Sequence, residues 1–374
     1  MKEFSQSSIQ KNNRSNIYRL LMHEAGLSRQ DIVRKLELSL PTVTYNMSDL
    51  ETEGLISTNG SAENHSEGRR AKTYKFVKNA RFAIGLDISK EYVIAAAVNL
   101  AGEVICKIRS RVNFERSDDY YRRLGHIVRK TITKSGLDKK LLLGVGLGVP
   151  GLVTEDRQTV FYGKILKFTG ATCAEFSQYI PYKTALFNDA SAAGFGEFWS
   201  REDVANAFYI NLSNNIGGAF AINNKIVGGN HFHSGEVGHL KIHPGGKHCY
   251  CGQRGCVDPY LAATTLSDLS ENDLAAFFKL LKAKDEKALA AWNSYLDDLA
   301  LTLNNVEELF DCRVILGGYI SRYLGPWMSE LKRRTAALNS FEKDAAYIQI
   351  SRYKMLSIAA GSAMTFLSDF ITHV

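Results

Sequence analysis

Between Gly235 and Asp258 the chain reads GEVGHLKIHPGGKHCYCGQRGCVD, and this stretch constrains the fold more than any other. Three of the six cysteines fall inside it, Cys249, Cys251 and Cys256, and His239 precedes them. One imidazole and three thiolates form a closed four-ligand set. That is the stoichiometry of a structural zinc site with no position left open for catalysis. Gly245, Gly246, Gly252 and Gly255 permit turns tight enough to gather ligands so close in sequence. Free thiols in a loop are the plain alternative. A Cys249–Cys251 bridge would be strained and would leave one cysteine unpaired. His231, His233, His243 and His248 are rival ligands, less well placed.

A chain of 374 residues, 45% of them hydrophobic, has material for two or three units with sizeable cores. No apolar run reaches membrane-spanning length, and the polar start MKEFSQSSIQKNNR is unlike a signal peptide, so a cytoplasmic protein without membrane partners is expected. A reducing compartment favours metal over disulfides for the clustered cysteines. The formal charge of +7 is compatible with nucleic acid and too small to argue for it. Cys106, Cys173 and Cys312 read as core residues, and Tyr120-Tyr121 and Phe277-Phe278 as packing.

The first eighty residues carry helical signals in quick succession. Ile17, Leu20, Leu21 and Ala25 share one face of a first helix that Gly26 stops. Ser28-Arg29-Gln30-Asp31 is a capping box for a second helix. Ser39 caps a third, with Pro41 in its first turn and Val43, Met47 and Leu50 facing inward. Ser39, Thr42, Thr44, Tyr45 and Asn46 are then the candidate DNA contacts. Helix, short turn, helix is the geometry that presents a recognition helix to the major groove. Two strands follow, Leu55–Thr58 and Lys72–Val77, around a polar tip on which Arg69 and Arg70 can reach backbone phosphate. A small helical interaction module is the bland alternative; the arginine-tipped hairpin favours a winged helix over residues 1–78.

From Arg81 the texture changes to apolar strands. FAIGLDI, YVIAAAVNL and EVICKI form one three-stranded meander, and AFYINL, IGGAFAI and KIVGG repeat the design over a hundred residues later. This echo predicts a duplicated α/β lobe. Between the copies, Asp119–Lys134 is helical and LLLGVGLGV is a buried strand; VILGGYI is another strand, and KMLSIAAGSAMTFLSDFI closes as a helix.

Gly235-Glu236-Val237-Gly238-His239 followed by Cys-x-Cys-Gly-x-x-Gly-Cys resembles the signature of the ROK family of repressors, open reading frames and sugar kinases. The resemblance implies two actin-like lobes facing across a cleft. The first covers 79–187 and the second, with the zinc loop and a dimerisation surface, 188–354; the terminal helix, 355–374, returns to the first. It also agrees with the winged helix, which ROK repressors carry and ROK kinases lack. Family kinases bear Asp-x-Gly-Gly-Thr in the first phosphate loop, where this chain has Asp87-Ile88-Ser89-Lys90-Glu91. The second loop, Gly-Thr-Gly in kinases, reads Ser213-Asn214-Asn215, although Gly217-Gly218 survives. Loops without their glycines cannot bring backbone N–H groups close to phosphate, so no catalytic residue is assigned.

Asn188-Asp189-Ala190 matches the motif whose Asp is the general base in the enzymes; a helix N-cap is the equal alternative here. By the same resemblance Asn188, Asp189, Glu236, His239 and Asp258 hold a sugar, polyols being gripped by carboxylates and amides. Asp258 stands where the family mostly has Glu, which draws the carboxylate back. The reading is a sugar-responsive transcriptional repressor, dimeric or a dimer of dimers, released from a DNA operator by its effector. A sugar kinase and a regulator without effector are the rivals.

Overall fold

The computed structural model describes residues 6–61, 72–201, 205–341 and 343–374. The amino-terminal module is built from α1 (Gln6–His23), β1 (Leu27–Ser28), α2 (Arg29–Leu36), α3 (Leu40–Thr52), β2 (Ile56–Ser61) and β3 (Lys72–Phe76). Gly26, at φ +82°, turns the chain after α1. Ser28 and Asp31 close the capping box reciprocally, and Ser39 accepts the Thr42 N–H at the start of α3. The strands order as β1-β3-β2, so the two-residue β1, unseen in the sequence, widens the hairpin to a three-stranded wing sheet. Ile17, Leu21, Ile32, Val43, Met47 and Leu50 form the core as periodicity requires. Ala25 is exposed instead, being beyond the end of α1, and Tyr18 joins the core in its place.

Two five-stranded sheets follow. The first contains β4 (Phe82–Ile88), β5 (Tyr92–Asn99), β6 (Val104–Arg111), then α4 (Asp118–Ser135) and β7 (Leu142–Val149). A flap of β8 (Leu152–Val153), β9 (Val160–Tyr162) and α5 (Cys173–Ser177) precedes β10 (Thr184–Asn188) and α6 (Asp189–Trp199). The second contains β11 (Ala207–Leu212), β12 (Ile216–Ile222) and β13 (Lys225–Ile226). It continues through α7 (Asp258–Leu261), α8 (Ala263–Ser267), α9 (Leu274–Lys282) and the long α10 (Glu286–Phe310). After β14 (Arg313–Gly317), α11 (Gly318–Ser321) and α12 (Met328–Ala336) come β15 (Ile348–Ile350) and α13 (Ser357–His373). The orders are β6-β5-β4-β7-β10 and β13-β12-β11-β14-β15. In each sheet the first strand is central, flanked by its antiparallel meander on one side and parallel strands on the other. The two meanders are thus one design used twice, with β13 shortened to two residues.

The span Lys354–His373, α13 with the turn that leads into it, is long and apolar enough by composition to cross a membrane, yet two thirds of its apolar window is buried within the protein. The helix α13 itself packs inside the fold. It lies on the first sheet and crosses α6. The approach is so close that a Cβ on Gly85 would sit 1.7 Å from the Ala359 carbonyl oxygen, and one on Gly361 1.7 Å from that of Ala192. Only glycine fits either crossing. At its far end α13 meets α1. Ser15 Oγ donates to the carbonyls of Val374, at 3.0 Å, and Thr372, and Arg19 bonds the Thr372 hydroxyl. One hydrophobic cluster runs from Ile17 and Leu21 to Met364 and Leu367.

Candidate functional site

The cleft is built where α6 begins. Asn188 is the N-cap, its side chain accepting the Ser191 N–H at 2.9 Å while donating to the Gly151 carbonyl. Asp189 is therefore not the cap. It accepts the Ala190 N–H at 2.8 Å and lines a small cavity of about 50 Å³ with Glu236, Asn188, Tyr250 and Lys164. A much larger groove, about 1730 Å³, meets this cavity at Asn188 and Glu236 and extends to Arg19 and His23 on α1.

The loop that carries Glu236 is seated on β12. A Cβ on Gly238 would lie 2.1 Å from the Ile216 carbonyl oxygen, and Gly235 stands at φ +87° against Gly218. Glycines 217 and 218 survive for the same reason: Gly217 faces Ala190, and Gly218 faces the Gly235 carbonyl. They serve packing between α6, β12 and the Glu236 loop.

Asp258 corrects the sequence reading. It is 6% exposed, lies outside the residues lining the cavity, and its carboxylate accepts the Ile216 N–H at 2.7 Å. The shorter side chain has withdrawn from the cleft to brace the second loop. Its carboxyl is nevertheless pushed up to about 6 by burial, against the pull of Ile216 N–H and Asn215.

Four carboxylates, Asp87, Asp189, Glu236 and Asp258, share this region, and Lys164 lines the same cavity. Burial raises Asp189 to about 6. Burial, with Asp189 and Asp258 adding repulsion, raises Glu236 to about 7. Asp87, at the end of β4, is likewise pushed up to about 7 by burial and by Asp189. A wall of acids held near neutrality can both donate to and accept from hydroxyls, as polyol recognition requires. Asp87 was visible in the sequence as the head of a phosphate loop, and Asp189 as a candidate site residue; that the two lie close enough to repel was not.

The loops themselves are tied up. Ser89 N–H and its hydroxyl both donate to the Tyr92 carbonyl, and the Lys90 and Glu91 carbonyls accept from Phe114 and Val112. In the second loop Ser213 N–H turns back on the Asn211 carbonyl, and Ile216 N–H is taken by Asp258. The Ser89, Ser213 and Ile216 N–H groups are thus spent internally, unlike those of a phosphate cradle.

His239, Cys249, Cys251 and Cys256 come together, their ligand atoms all within 4.8 Å of one another. His239 Nδ1 lies 3.7 Å from Cys249 Sγ, and the Cys251 and Cys256 sulfurs are 3.8 Å apart. Tetrahedral zinc with bonds of about 2.3 Å to sulfur places such atoms roughly 3.8 Å apart, so the donor set fits that ion. Of the rival histidines, His243 bonds Asp298 and His248 bonds Arg254, and neither His231 nor His233 joins the cluster. Lys241 Nζ donates to Cys256 Sγ at 3.0 Å, the kind of outer partner that offsets thiolate charge. The other ring nitrogen of His239 lies 3.2 Å from the Tyr250 hydroxyl and 3.8 Å from Glu236 Oε2, two residues that line the cavity, although His239 itself is not among the lining residues. One imidazole thus links the metal-type cluster to the wall of the cleft. Tyr250 and Lys164 were missed; as the spacer between two cysteine ligands, Tyr250 could have been placed near His239.

On the amino-terminal module Ser39, Thr42, Thr44 and Tyr45 lie on the outer side of α3, and Tyr45 is 58% exposed. Asn46 does not join them. It is 3% exposed, and its amide donates to the Thr42 carbonyl, because position 46 falls on the face shared by Val43, Met47 and Leu50. Arg69 and Arg70 lie outside the described residues.

With the fold and cleft in view, the class is a winged helix joined to a two-lobed sugar-kinase-like domain. The ROK family profile matches residues 83–357, and a winged helix-turn-helix DNA-binding profile matches 11–57. The chain belongs to the ROK family. It is 26% identical over 307 residues to the xylose repressor of Caldicellulosiruptor bescii, covering 81% of this chain and 72% of that protein. The xylose repressor of Bacillus subtilis is 24% identical, over 83% of both. The glucokinase of Halalkalibacterium halodurans is 25% identical, over 65% of this chain and 81% of its own. Among solved structures, a ROK family transcriptional regulator described as a homolog of E. coli Mlc superposes with a TM-score of 0.76 at 20% identity, over 97% of this chain and 98% of its own. A ROK family glucokinase from Streptomyces griseus, bound to glucose and AMPPNP, gives 0.64 at 20% identity, over 76% and 98%.

Proposed function

We propose that this protein is a sugar-responsive, DNA-binding transcriptional repressor of carbohydrate-utilisation genes, acting in the cytoplasm as a homodimer on a two-fold operator. The observation that carries the reading is the pairing of a winged helix with a cleft that keeps an acid wall while the Ser89, Ser213 and Ile216 N–H groups of its phosphate-loop positions are bonded internally. Relatives named as xylose repressors support it. So does the physical continuity of the chain. The helix that opens at Asp189 crosses α13, and α13 is bonded to α1 of the DNA-binding module. A ligand that favours one arrangement of the lobes changes operator affinity by its differential affinity for the two states, and by no more. Release on binding is the sign proposed.

Within this reading Asn188, Asp189, Glu236 and His239 hold the sugar, with Asp258 bracing them. The domains divide near residues 78 and 188, and α13 returns to the first lobe. His239, Cys249, Cys251 and Cys256 hold structural zinc, which pins the loop beside the sugar. The kinase reaction is absent, because phosphoryl transfer needs both cradles.

The test is operator binding by the full chain, followed by fluorescence anisotropy with and without D-xylose, D-glucose and N-acetyl-D-glucosamine. Duplex binding that survives deletion of residues 1–78 overturns the repressor. Sustained sugar-dependent ADP formation that disappears in Asp189→Asn overturns the non-enzyme reading in favour of a kinase.

A further inference from the structure

The cleft already contains an aromatic hydroxyl. Tyr250 stands between Cys249 and Cys251, and its ring meets His239 edge-on, with centroids 5.3 Å apart and planes at 62°. The phenol oxygen lies 3.2 Å from His239 Nε2, and that nitrogen is 3.8 Å from Glu236 Oε2. Whichever partner carries the proton, the phenol satisfies Nε2 as a sugar hydroxyl would, beside the carboxylate that would accept from the same hydroxyl. We propose that the Tyr250 phenol is a built-in occupant of the cleft's hydroxyl subsite, which a sugar must displace to reach His239 and Glu236.

Two further observations support displacement rather than simple lining. Tyr250 lines the same small cavity as Asp189 and Glu236, so its phenol stands where a sugar reaching those two carboxylates would enter. Tyr250 is also 41% exposed, so its ring has solvent to swing into without unpacking a core. A resident competitor raises the ligand concentration needed for a response, because each binding event must first break the phenol–imidazole contact. It also sets specificity. Only a ligand whose hydroxyl bonds both His239 and Glu236 recovers what displacement costs.

This inference rests on the effector reading of the cleft, and the experiment separates the two. Full-length, zinc-replete protein is titrated calorimetrically with D-xylose, D-glucose and N-acetyl-D-glucosamine, in parallel with Tyr250→Phe, which keeps the ring and removes the hydroxyl. The variant should bind the preferred sugar roughly three- to tenfold more tightly, the range of one net hydrogen bond. Unchanged zinc content and Tm show that the loop is intact. A sugar bound with equal affinity by both proteins overturns the inference and leaves the effector reading standing, as does weaker binding by the variant, which would make the phenol part of the ligand's own shell. Binding seen only in the variant supports displacement. If neither protein binds any of the three, both readings fall.

Discussion

Glu197 Oε1 accepts the backbone N–H of Tyr353 at 3.0 Å, which fastens the helix that opens at the cleft to the segment entering the last helix. Glu197 is 0% exposed, and every part of its carboxylate is used. Ser351 donates its hydroxyl, Arg352 its backbone N–H, and Arg201 its guanidinium at 3.1 Å. Tyr353 in turn donates its own hydroxyl to the Gly102 carbonyl. The crossing between the sheets is therefore held by one buried acid. Glu197→Ala should cost about 3–5 kcal/mol, because Arg201 would remain buried without its anion. Urea denaturation of the full chain checks this, and a loss below roughly 1 kcal/mol would show that the crossing is held by the glycine packing alone.

The strands and their duplication were legible because alternation and turn residues act locally, and both meanders are local objects. The four ligands of the zinc-type cluster were legible because sulfur and imidazole at short spacing have few other uses. What was not legible depended on partners remote in sequence. Glu197 resembles any acid on a helix until Ser351 and Tyr353 arrive, more than 150 residues later. Asp258 was identified as shortened, but its withdrawal to Ile216 N–H required the strand it braces. Asn46 was misplaced by a single helical step. Its amide suited DNA contact, whereas its position at 100° intervals put it with Val43 and Met47.

Purified protein should carry about one zinc per chain. Cys251→Ser should lose it and lower Tm by at least ~5 °C, since binding energy in a closed site is folding energy. Elemental analysis finding no metal in protein prepared without chelator would refute this. Lys241→Met should keep the metal with weaker affinity, because the Cys256 thiolate loses its cationic neighbour.

Stability should fall as pH rises from about 4 to about 7. The Asp87 carboxyl is raised to about 7 by burial and by Asp189, whereas in the unfolded chain it titrates near ~4. Between those values the folded state holds a proton that the unfolded state has released, so the group's contribution is full below pH ~4 and is lost as pH passes the folded value. Asp87→Asn removes that penalty. It should stabilise the protein by on the order of 1–3 kcal/mol at pH 8 and leave it nearly unchanged at pH 4. Equal effects at both pH values, measured by denaturant midpoint, would mean that the carboxyl ionises freely.

The two faces of α3 should separate in binding experiments. Tyr45 projects from the outer face at 58% exposure, while Asn46, one residue later, is packed inward with its amide on the Thr42 carbonyl. A side chain that reads base edges changes preference between sequences; one that holds the helix together changes affinity for all of them. Tyr45→Ala should therefore reduce discrimination between operator and scrambled duplex by about 1–3 kcal/mol, with little change in Tm. Asn46→Ala should lower stability by about 1 kcal/mol through the lost hydrogen bond and leave the ratio of the two affinities as it was. Anisotropy titrations at fixed salt supply both numbers. If Asn46→Ala instead changes the ratio while Tyr45→Ala does not, α3 meets DNA through the opposite face, and the module must open to bind.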